Sequence, residues 1–174
     1  MSLDLPDAAD LSNRIAVYTG SFDPVTLGHL HIIERSADLY DRLIVGIGIN
    51  ATKQSLFTID ERIAMLREVT GHLPNVEIDA FVGLAVDFVR SRRSRVMIRG
   101  VRPLTDIAAE FTMMMANRQL DSGIETVFLM ADESFAHVSS TLIKQISAIS
   151  DGRALEKFVP QAVIAPLLAK LAVL

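Results

Sequence analysis

Cysteine is absent from this chain of 174 residues, and its absence removes several classes of chemistry. Without thiols the protein forms no disulfide, carries no thiolate nucleophile and binds no zinc through cysteine. A composition without disulfides fits a reducing compartment, and we predict a cytoplasmic location.

Surplus positive charge and long apolar runs are also lacking. Seventeen Lys and Arg face 21 Asp and Glu, for a net charge of −4, whereas nucleic-acid binding rests on an excess of clustered cations. The apolar tail at 163–174 contains Pro166 and Lys170 and is shorter than the roughly 20 residues of a bilayer span. We therefore predict neither a nucleic-acid partner nor a membrane segment. A small anionic ligand needs only a local cluster of cations.

The N-terminal segment, residues 1–13, has no basic stretch followed by an apolar one, so it is not read as a signal peptide. We expect it to be a flexible leader. Half of the residues are hydrophobic, and no linker or repeat divides the remainder. Residues 14–174 are therefore predicted to form a single domain, which at this length buries roughly 70% of its unfolded surface.

Short apolar runs alternate with amphipathic stretches, which is typical of a parallel sheet covered by helices. The fold class predicted is α/β, a Rossmann-like doubly wound parallel sheet of five strands with helices on both faces. One helix start carries a capping box at Thr58 and Glu61. The strands are predicted at 14–18, 43–49, 76–81, 96–98 and 126–130, and the helices from 28, at 58–71, 84–92 and 103–120, from 139 or 140 to 149, and after Pro160.

In such folds ligands bind at the carboxyl ends of the strands. The segment after the first strand is no G-x-G-x-x-G fingerprint, but it offers a glycine turn, the hydroxyl of Ser21 and the pair Gly28-His29 at a helix entrance. Free amides and the positive end of a helix favour a phosphate there. The alternative for His29 is a helix-capping histidine with a backbone partner.

Cations follow two further strands. Lys53 stands after the second strand, where the alternative is a solvated side chain. Arg99-Gly100-Val101-Arg102 follows the fourth strand and suits bidentate phosphate recognition, with surface ion pairs as the alternative. A solvated basic face is expected instead for Arg90, Arg92, Arg93 and Arg95.

Other polar groups leave more than one interpretation open. Asp106 and Glu110 share a helix face and could contact ribose hydroxyls, contribute to a Mg²⁺ shell or pair with Arg102. Val138-Ser139-Ser140-Thr141 at a helix entrance predicts a second anion cradle, or ordinary capping. His31 and His72 are expected at the surface, and Met113 to Met115 in the core or at a subunit interface.

Taken together, these motifs resemble bacterial phosphopantetheine adenylyltransferases from about residue 14 to the C-terminal helix. The motifs that carry the resemblance are Thr26-x-Gly28-His29, Lys53, Arg99-Gly100-Val101-Arg102 and Ser139-Ser140-Thr141. The resemblance implies an enzyme that transfers the adenylyl group of ATP to 4′-phosphopantetheine, with Mg²⁺, giving dephospho-coenzyme A and pyrophosphate. It also implies a homohexamer.

The resemblance assigns roles to particular residues. It makes His29 the transition-state stabiliser, Lys53 and Arg99 catalytic and acceptor-binding residues, and Ala85 a wall of the acceptor pocket; Ser21 contacts both substrates. No side chain of the protein is assigned as a metal ligand. The ATP-binding set is Ser21, Phe22, His29, Gly100, Val101, Arg102, Glu110, Phe135, Ala136, His137, Val138, Ser139, Ser140 and Thr141.

The chain departs from the family at a few positions. Ile107, Ala108 and Ala109 replace aromatic and acidic residues, Phe135 stands where tryptophan is usual, and Ala85 is smaller than common. Two rival functions stay open: another nucleotidyltransferase, for nicotinate mononucleotide or glycerol phosphate, and a nucleotide-binding module without catalysis. For the enzyme we expect direct in-line attack without a covalent intermediate, because the acceptor phosphate is mostly a dianion at pH 7.

Overall fold

The computed structural model describes residues 14–50, 54–102, 106–147 and 152–172. The expectations for residues 1–13 and for Lys53 lie outside these ranges. Five parallel strands form one sheet in the order β3-β2-β1-β4-β5. The strands are β1 Ile15–Gly20, β2 Arg42–Ile49, β3 Val76–Val82, β4 Val96–Val101 and β5 Glu125–Met130, and the helices are α1 Leu27–Leu39, α2 Ile59–Thr70, α3 Ala85–Ser91, α4 Ile107–Leu120, α5 Ser140–Ser147, α6 Gly152–Leu155 and α7 Gln161–Leu171.

Alternate residues of β1, β2 and β4 enter two separate cores, one on each face of the sheet. Ala16 and Tyr18 of β1 pack into the core formed with α1, α2, α5, α6 and α7, whereas Val17 between them joins the core that contains Val86 and Phe88 of α3. This period of two follows from the pleat of a strand. Burial on both faces explains the nearly continuous apolar strands, and the predicted doubly wound fold is confirmed.

The fourth strand is longer than the sequence suggested. Arg99, Gly100 and Val101 pair with Phe128, Leu129 and Met130 of β5, so the predicted strand end at residue 98 is wrong. A glycine suits this position, because a Cβ at Gly100 would lie 3.1 Å from Ile32. Arg99 is therefore fixed on a strand, and not on a turn. The predicted helix start at Pro103 lies outside the described residues, and α4 is described from Ile107.

Several surface expectations need correction. The core alternative for the methionines is wrong, since Met113 and Met115 are 55% and 45% exposed. Arg90 and Arg92 are not simply solvated, because they pair with Asp121 and Asp79.

The two histidines that were expected at the surface differ in their environments. His72 is exposed beside Glu34, as expected. His31 is half-buried, with its ring 5.3 Å from that of Phe135, so it contributes to packing. Among the described helices, none combines the length and the apolar character that a bilayer crossing requires.

Candidate active site

A cleft of about 300 Å³ opens where β1, β4 and β5 end. The β1–α1 turn, the end of β4, the first turn of α4 and the β5–α5 loop form its walls. Segments that are far apart in sequence therefore meet, as the rule for parallel sheets predicts. The predicted site residues that line the cleft are Ser21, His29, Arg99, Gly100, Val101, Arg102, Glu110, Phe135, Val138, Ser139 and Ser140.

Other predicted site residues do not belong to this lining. Phe22 is buried, and its ring packs edge-on against His29 at 5.1 Å. Ala85 begins α3 beside the second core, and the ring of His137 packs against Phe158. Ala136 and Thr141 also lie outside the lining, and Lys53 is not among the described residues.

The β1–α1 turn is shaped by one unusual backbone conformation. Phe22 has φ of 47°, in the left-handed region that bulky residues rarely adopt. This conformation places its ring against Gly20, where a Cβ would come within 2.9 Å of the ring. A glycine is therefore required at residue 20. The buried ring of Phe22 also packs against the ring of His29.

Helix α1 begins with a capping box that contains the predicted catalytic histidine. The side chain of Thr26 accepts a hydrogen bond from the His29 amide at 3.2 Å, and His29 Nδ1 accepts one from the Thr26 amide at 3.1 Å. An amide can only donate, so Nδ1 is the acceptor and the ring proton lies on Nε2. His29 is thus the capping histidine of the alternative interpretation and also a wall of the cleft.

The electrostatics of the cleft keep this imidazole neutral. Burial, followed by the charges of Arg102 and Arg99, lowers the pKa of His29 to about 4. At neutral pH the ring is therefore an uncharged donor through Nε2, located at the positive end of a helix whose first turn has no acidic residue. This arrangement can bind an anion and needs no proton uptake to do so.

Both cleft arginines are held by carboxylates from α4 or its N-cap. Arg99 donates through Nε and Nη2 to the two oxygens of Glu110 at 2.7 Å, and its Nη1 donates to the Thr19 carbonyl at 2.7 Å. Arg102 makes the same forked contact with Asp106 at 2.6 Å. Of the sequence alternatives for Asp106, pairing with Arg102 is the one observed.

These ion pairs are about three-quarters buried, so they are not the solvent-exposed pairs of the alternative interpretation. Although burial disfavours the charged form of Arg99, the contact with Glu110 raises the pKa of Arg99 above its usual value. Arg99 thus stays charged and is preoriented on β4. Because a phosphate dianion carries more charge than a carboxylate, it can compete for these donors.

Helix α5 supplies the wall opposite the β1–α1 turn. Ser139 Oγ accepts a hydrogen bond from the Leu142 amide at 3.1 Å, as an N-cap does, whereas Ser140 Oγ donates to the Pro24 carbonyl at 2.9 Å. One serine therefore caps the helix and the next connects it to the β1–α1 turn. Both line the cleft, and the first amides of α5 are suited to bind phosphate oxygens.

Tyr18 and Thr19 line the cleft as well, and sequence reasoning missed both. They end the first strand just before Gly20, so the rule that ligands bind at carboxyl ends of strands could have found them. Burial raises the pKa of the Tyr18 hydroxyl above its usual value, which leaves it protonated. Both residues thus supply neutral polar groups next to Arg99.

Comparisons with known proteins agree on one family. The sequence model described as cytidylyltransferase-like matches residues 17–146. The chain is 68% identical over 167 residues to the phosphopantetheine adenylyltransferase of Rhodopirellula baltica, covering 95% of this chain and 93% of the relative. It is 47% identical over 150 residues to the enzyme of the same name from Carboxydothermus hydrogenoformans, covering 86% and 91%.

Solved structures show the same fold at low identity. A putative nicotinate-nucleotide adenylyltransferase from Vibrio parahaemolyticus superposes with a TM-score of 0.66 at 15% identity, covering 90% of this chain and 92% of the other. The nicotinic acid mononucleotide adenylyltransferase of Plasmodium falciparum gives a TM-score of 0.65 at 12% identity, covering 92% and 95%. At these identities the likeness concerns the fold alone.

Proposed function

The chain belongs to the phosphopantetheine adenylyltransferases, and we infer that it transfers the adenylyl group of ATP to 4′-phosphopantetheine, giving dephospho-coenzyme A and pyrophosphate. One structural observation indicates that this reaction takes place in the cleft. A neutral histidine donor, two arginines and the N-termini of two helices converge on a single cleft at the carboxyl ends of the strands. Two phosphate-bearing substrates need such a concentration of donors.

The reaction requires no activated side chain as nucleophile. The acceptor phosphate, largely a dianion at pH 7, attacks the α-phosphorus of ATP directly. A new P–O bond forms there, the bond to the bridging oxygen breaks, and pyrophosphate leaves with the electron pair. The obstacle is to align two polyanions, and alignment of two reactants can contribute about 7–11 kcal/mol.

His29 is suited to stabilise the charge that grows on the α-phosphate. Its Nδ1 is engaged by the Thr26 amide, so the Nε2 proton is the one available to a ligand. A preorganised donor in a partly buried site stabilises developing charge more than water does, because it needs no reorganisation. The amides at the start of α5 would assist through the remaining phosphate oxygens, whereas the Leu27 and His29 amides of α1 already donate to the Phe158 carbonyl and the Thr26 hydroxyl.

Different polar and cationic side chains would bind the phosphates of the two substrates. Arg99 and Lys53 are proposed for the acceptor phosphate, and Arg102, Ser139 and Ser140 for ATP. Within the described ranges, no three acidic or histidine side chains gather as a metal site. We propose that Mg²⁺ enters with ATP, where it would neutralise charge on the triphosphate.

The test is pyrophosphate release with ATP, Mg²⁺ and 4′-phosphopantetheine, measured for the wild type and for His29→Ala. By comparison with the loss of an oxyanion-hole donor, the substitution should lower kcat about 10²–10³-fold. Circular dichroism verifies that the variant is folded. A folded His29→Ala variant with near-normal turnover would contradict the role of His29.

The same assay separates the rival functions. Nicotinate mononucleotide with ATP, and glycerol phosphate with CTP, should give no more than background pyrophosphate. A nucleotide-binding module would bind ATP in calorimetry and release no pyrophosphate with any acceptor. Pyrophosphate release with one of these acceptors but not with 4′-phosphopantetheine, or ATP binding without any release, would replace the proposed reaction.

We also propose a cytoplasmic homohexamer, in line with the family resemblance. The support is the apolar surface of α4, where large side chains are about half exposed in one chain. Exposed apolar surface on this scale is typical of an interface between proteins. Light scattering coupled to gel filtration measures the mass. The side chains concerned are Ile107, Phe111, Met113, Met115 and Leu120.

A further inference from the structure

Asp23, in the β1–α1 turn, is a buried carboxylate that the proposed chemistry does not use. Its side chain accepts hydrogen bonds from the amides of Leu56 and Phe57, both at 2.9 Å, and forms an ion pair with Lys144. Burial acts to raise the pKa of Asp23, but the contacts with Lys144 and the two amides lower it overall. The group is thus ionised and fully partnered, although it is outside the cleft lining.

The partners of Asp23 come from two elements on different sides of the turn. Leu56 and Phe57 precede α2, whereas Lys144 lies in the second turn of α5, 121 residues away from Asp23. A hydrogen bond from Ser140 Oγ to the Pro24 carbonyl runs parallel to the ion pair. On the other side of the turn, Arg62 of α2 donates to the Ser21 carbonyl at 3.0 Å. The turn is therefore clamped between α2 and α5.

The clamp lies between two groups that must act on the same substrate. The turn leads directly into the capping box of His29, and α5 begins with Ser139 and Ser140. The ion pair links the β1–α1 turn to α5 and so resists a shift of one relative to the other. Such a shift matters, because a misplacement of about 1 Å can reduce a rate on the order of 100-fold.

We propose that Asp23 and Lys144 are positioning residues: their ion pair sets the separation of the α1 and α5 N-termini, so that His29 and the α5 amides meet the same triphosphate. This role rests on the proposed function and extends it to residues that touch no substrate. A charged pair suits it, because separating the two groups would leave the buried Asp23 carboxylate without its cation, which is strongly unfavourable.

The first test compares Lys144→Met with Lys170→Met. Lys170 pairs with Glu61 at 2.7 Å, and its side chain is 34% exposed, the same as that of Lys144, but it bridges α2 and α7 outside the cleft. Steady-state kinetics on folded protein should show kcat about 10-fold lower or more for Lys144→Met. For Lys170→Met we expect kcat within about twofold of the wild type, and Lys144→Arg should recover part of the loss.

The double variant Asp23→Asn/Lys144→Met distinguishes a positioning role from a simple loss of stability. It removes both charges together and leaves no buried charge without a partner. The asparagine oxygen keeps one of the two amide hydrogen bonds, so the double variant should melt closer to the wild type than Asp23→Asn alone does. A positioning role predicts that its kcat stays at least about 10-fold low despite the recovered melting temperature. A purely structural role predicts that kcat recovers together with stability.

The outcomes are distinct from those that test the proposed reaction. If the wild type releases no pyrophosphate with 4′-phosphopantetheine, the proposed function fails. If the wild type is active and the folded double variant has wild-type kcat, the function stands and the positioning role is overturned. Equal losses in Lys144→Met and Lys170→Met would also overturn it, because any broken ion pair would then have the same effect.

Discussion

Helices α1 and α2 begin with the same capping arrangement but have different roles. Each has a threonine N-cap whose side chain accepts from the amide three residues on, and a side chain at that third residue accepts from the N-cap amide. In α2 the third residue is Glu61, which pairs with Lys170 at 2.7 Å. In α1 it is His29, which is neutral and lines the cleft.

The difference teaches what makes a helix N-terminus into a binding site. In α2 the negative charges of Asp60 and Glu61 compensate the positive end of the helix within the first turn. In α1 the same hydrogen bonds are made without an acidic residue, so the positive end stays available to a phosphate. Capping alone therefore does not identify a site; the charge of the capping side chain does.

The largest effect is expected from converting the first cap into the second with His29→Glu. Glutamate can retain the hydrogen bond from the Thr26 amide, so the helix should stay capped and the melting temperature should change little. A carboxylate would now repel the phosphates and lack a donor, and we expect turnover to fall at least about 10³-fold. Pyrophosphate release measures the loss of turnover, and calorimetric titration with ATP measures the loss of ATP binding.

The reverse substitution, Glu61→His, is the matched control for this swap. It alters the α2 cap and the pair with Lys170, so stability should fall, while turnover of the folded protein should stay within about twofold. Turnover above about a tenth of normal in His29→Glu would show that charge at the α1 terminus is unimportant.

A smaller effect is expected from Thr26→Ala, which removes the hydroxyl that caps α1. Loss of an N-cap side chain costs about 0.5–2 kcal/mol of unfolding free energy. Since the His29 ring also contacts this hydroxyl, at 3.2 Å, kcat should fall roughly 10-fold. Urea unfolding and steady-state kinetics measure both, and Thr26→Ser should restore both. If Thr26→Ala lowers stability but leaves kcat unchanged, the cap does not contribute to the reaction.

Thr58→Ala, the equivalent change in α2, should affect stability alone. We expect about 1 kcal/mol of lost unfolding free energy. The kcat of the folded variant should stay within about twofold, because neither Thr58 nor any residue of α2 lines the cleft. A loss of turnover as large as that of Thr26→Ala would remove the distinction between the two caps.

Stability should also depend on pH through the α1 cap, in a way that the α2 cap does not share. The pKa of His29 is about 4 in the folded chain and about 6.5 when unfolded, so the unfolded state binds more protons between these values. The contribution of His29 is therefore complete above pH 6.5 and decreases as the pH falls toward 4. Unfolding free energies of the wild type and His29→Gln should converge over this range, and parallel curves would contradict the lowered pKa.

The order of the elements was predictable because apolar strands and amphipathic helices alternate clearly. The α2 cap was also predictable, since glutamate at the third position matches the known pattern. The end of β4 was not, because the apolar run stops at Ile98 and the pairing of Arg99 and Gly100 with β5 is visible only in the structure. Ladder hydrogen bonds between distant segments override such local preferences.

For the candidate site, position at the strand ends identified His29, Arg99 and Ser139 correctly as cleft residues. The forked contact of Arg99 with Glu110 was not foreseen, because it depends on how α4 lies against β4. Asp23 and Lys144 could not be paired from sequence at all. Their contact spans 121 residues and exists only when the sheet is complete.

The strand order has a consequence for how the chain is made. Strand β1 leaves the ribosome first, yet it occupies the middle of the sheet, and its second neighbour is β4. The unit from β1 to β3 can assemble early, but one side of β1 has unsatisfied backbone groups until residues 96–101 arrive. During synthesis this open edge is the place where another nascent chain could add a strand, and pairing with β4 closes it.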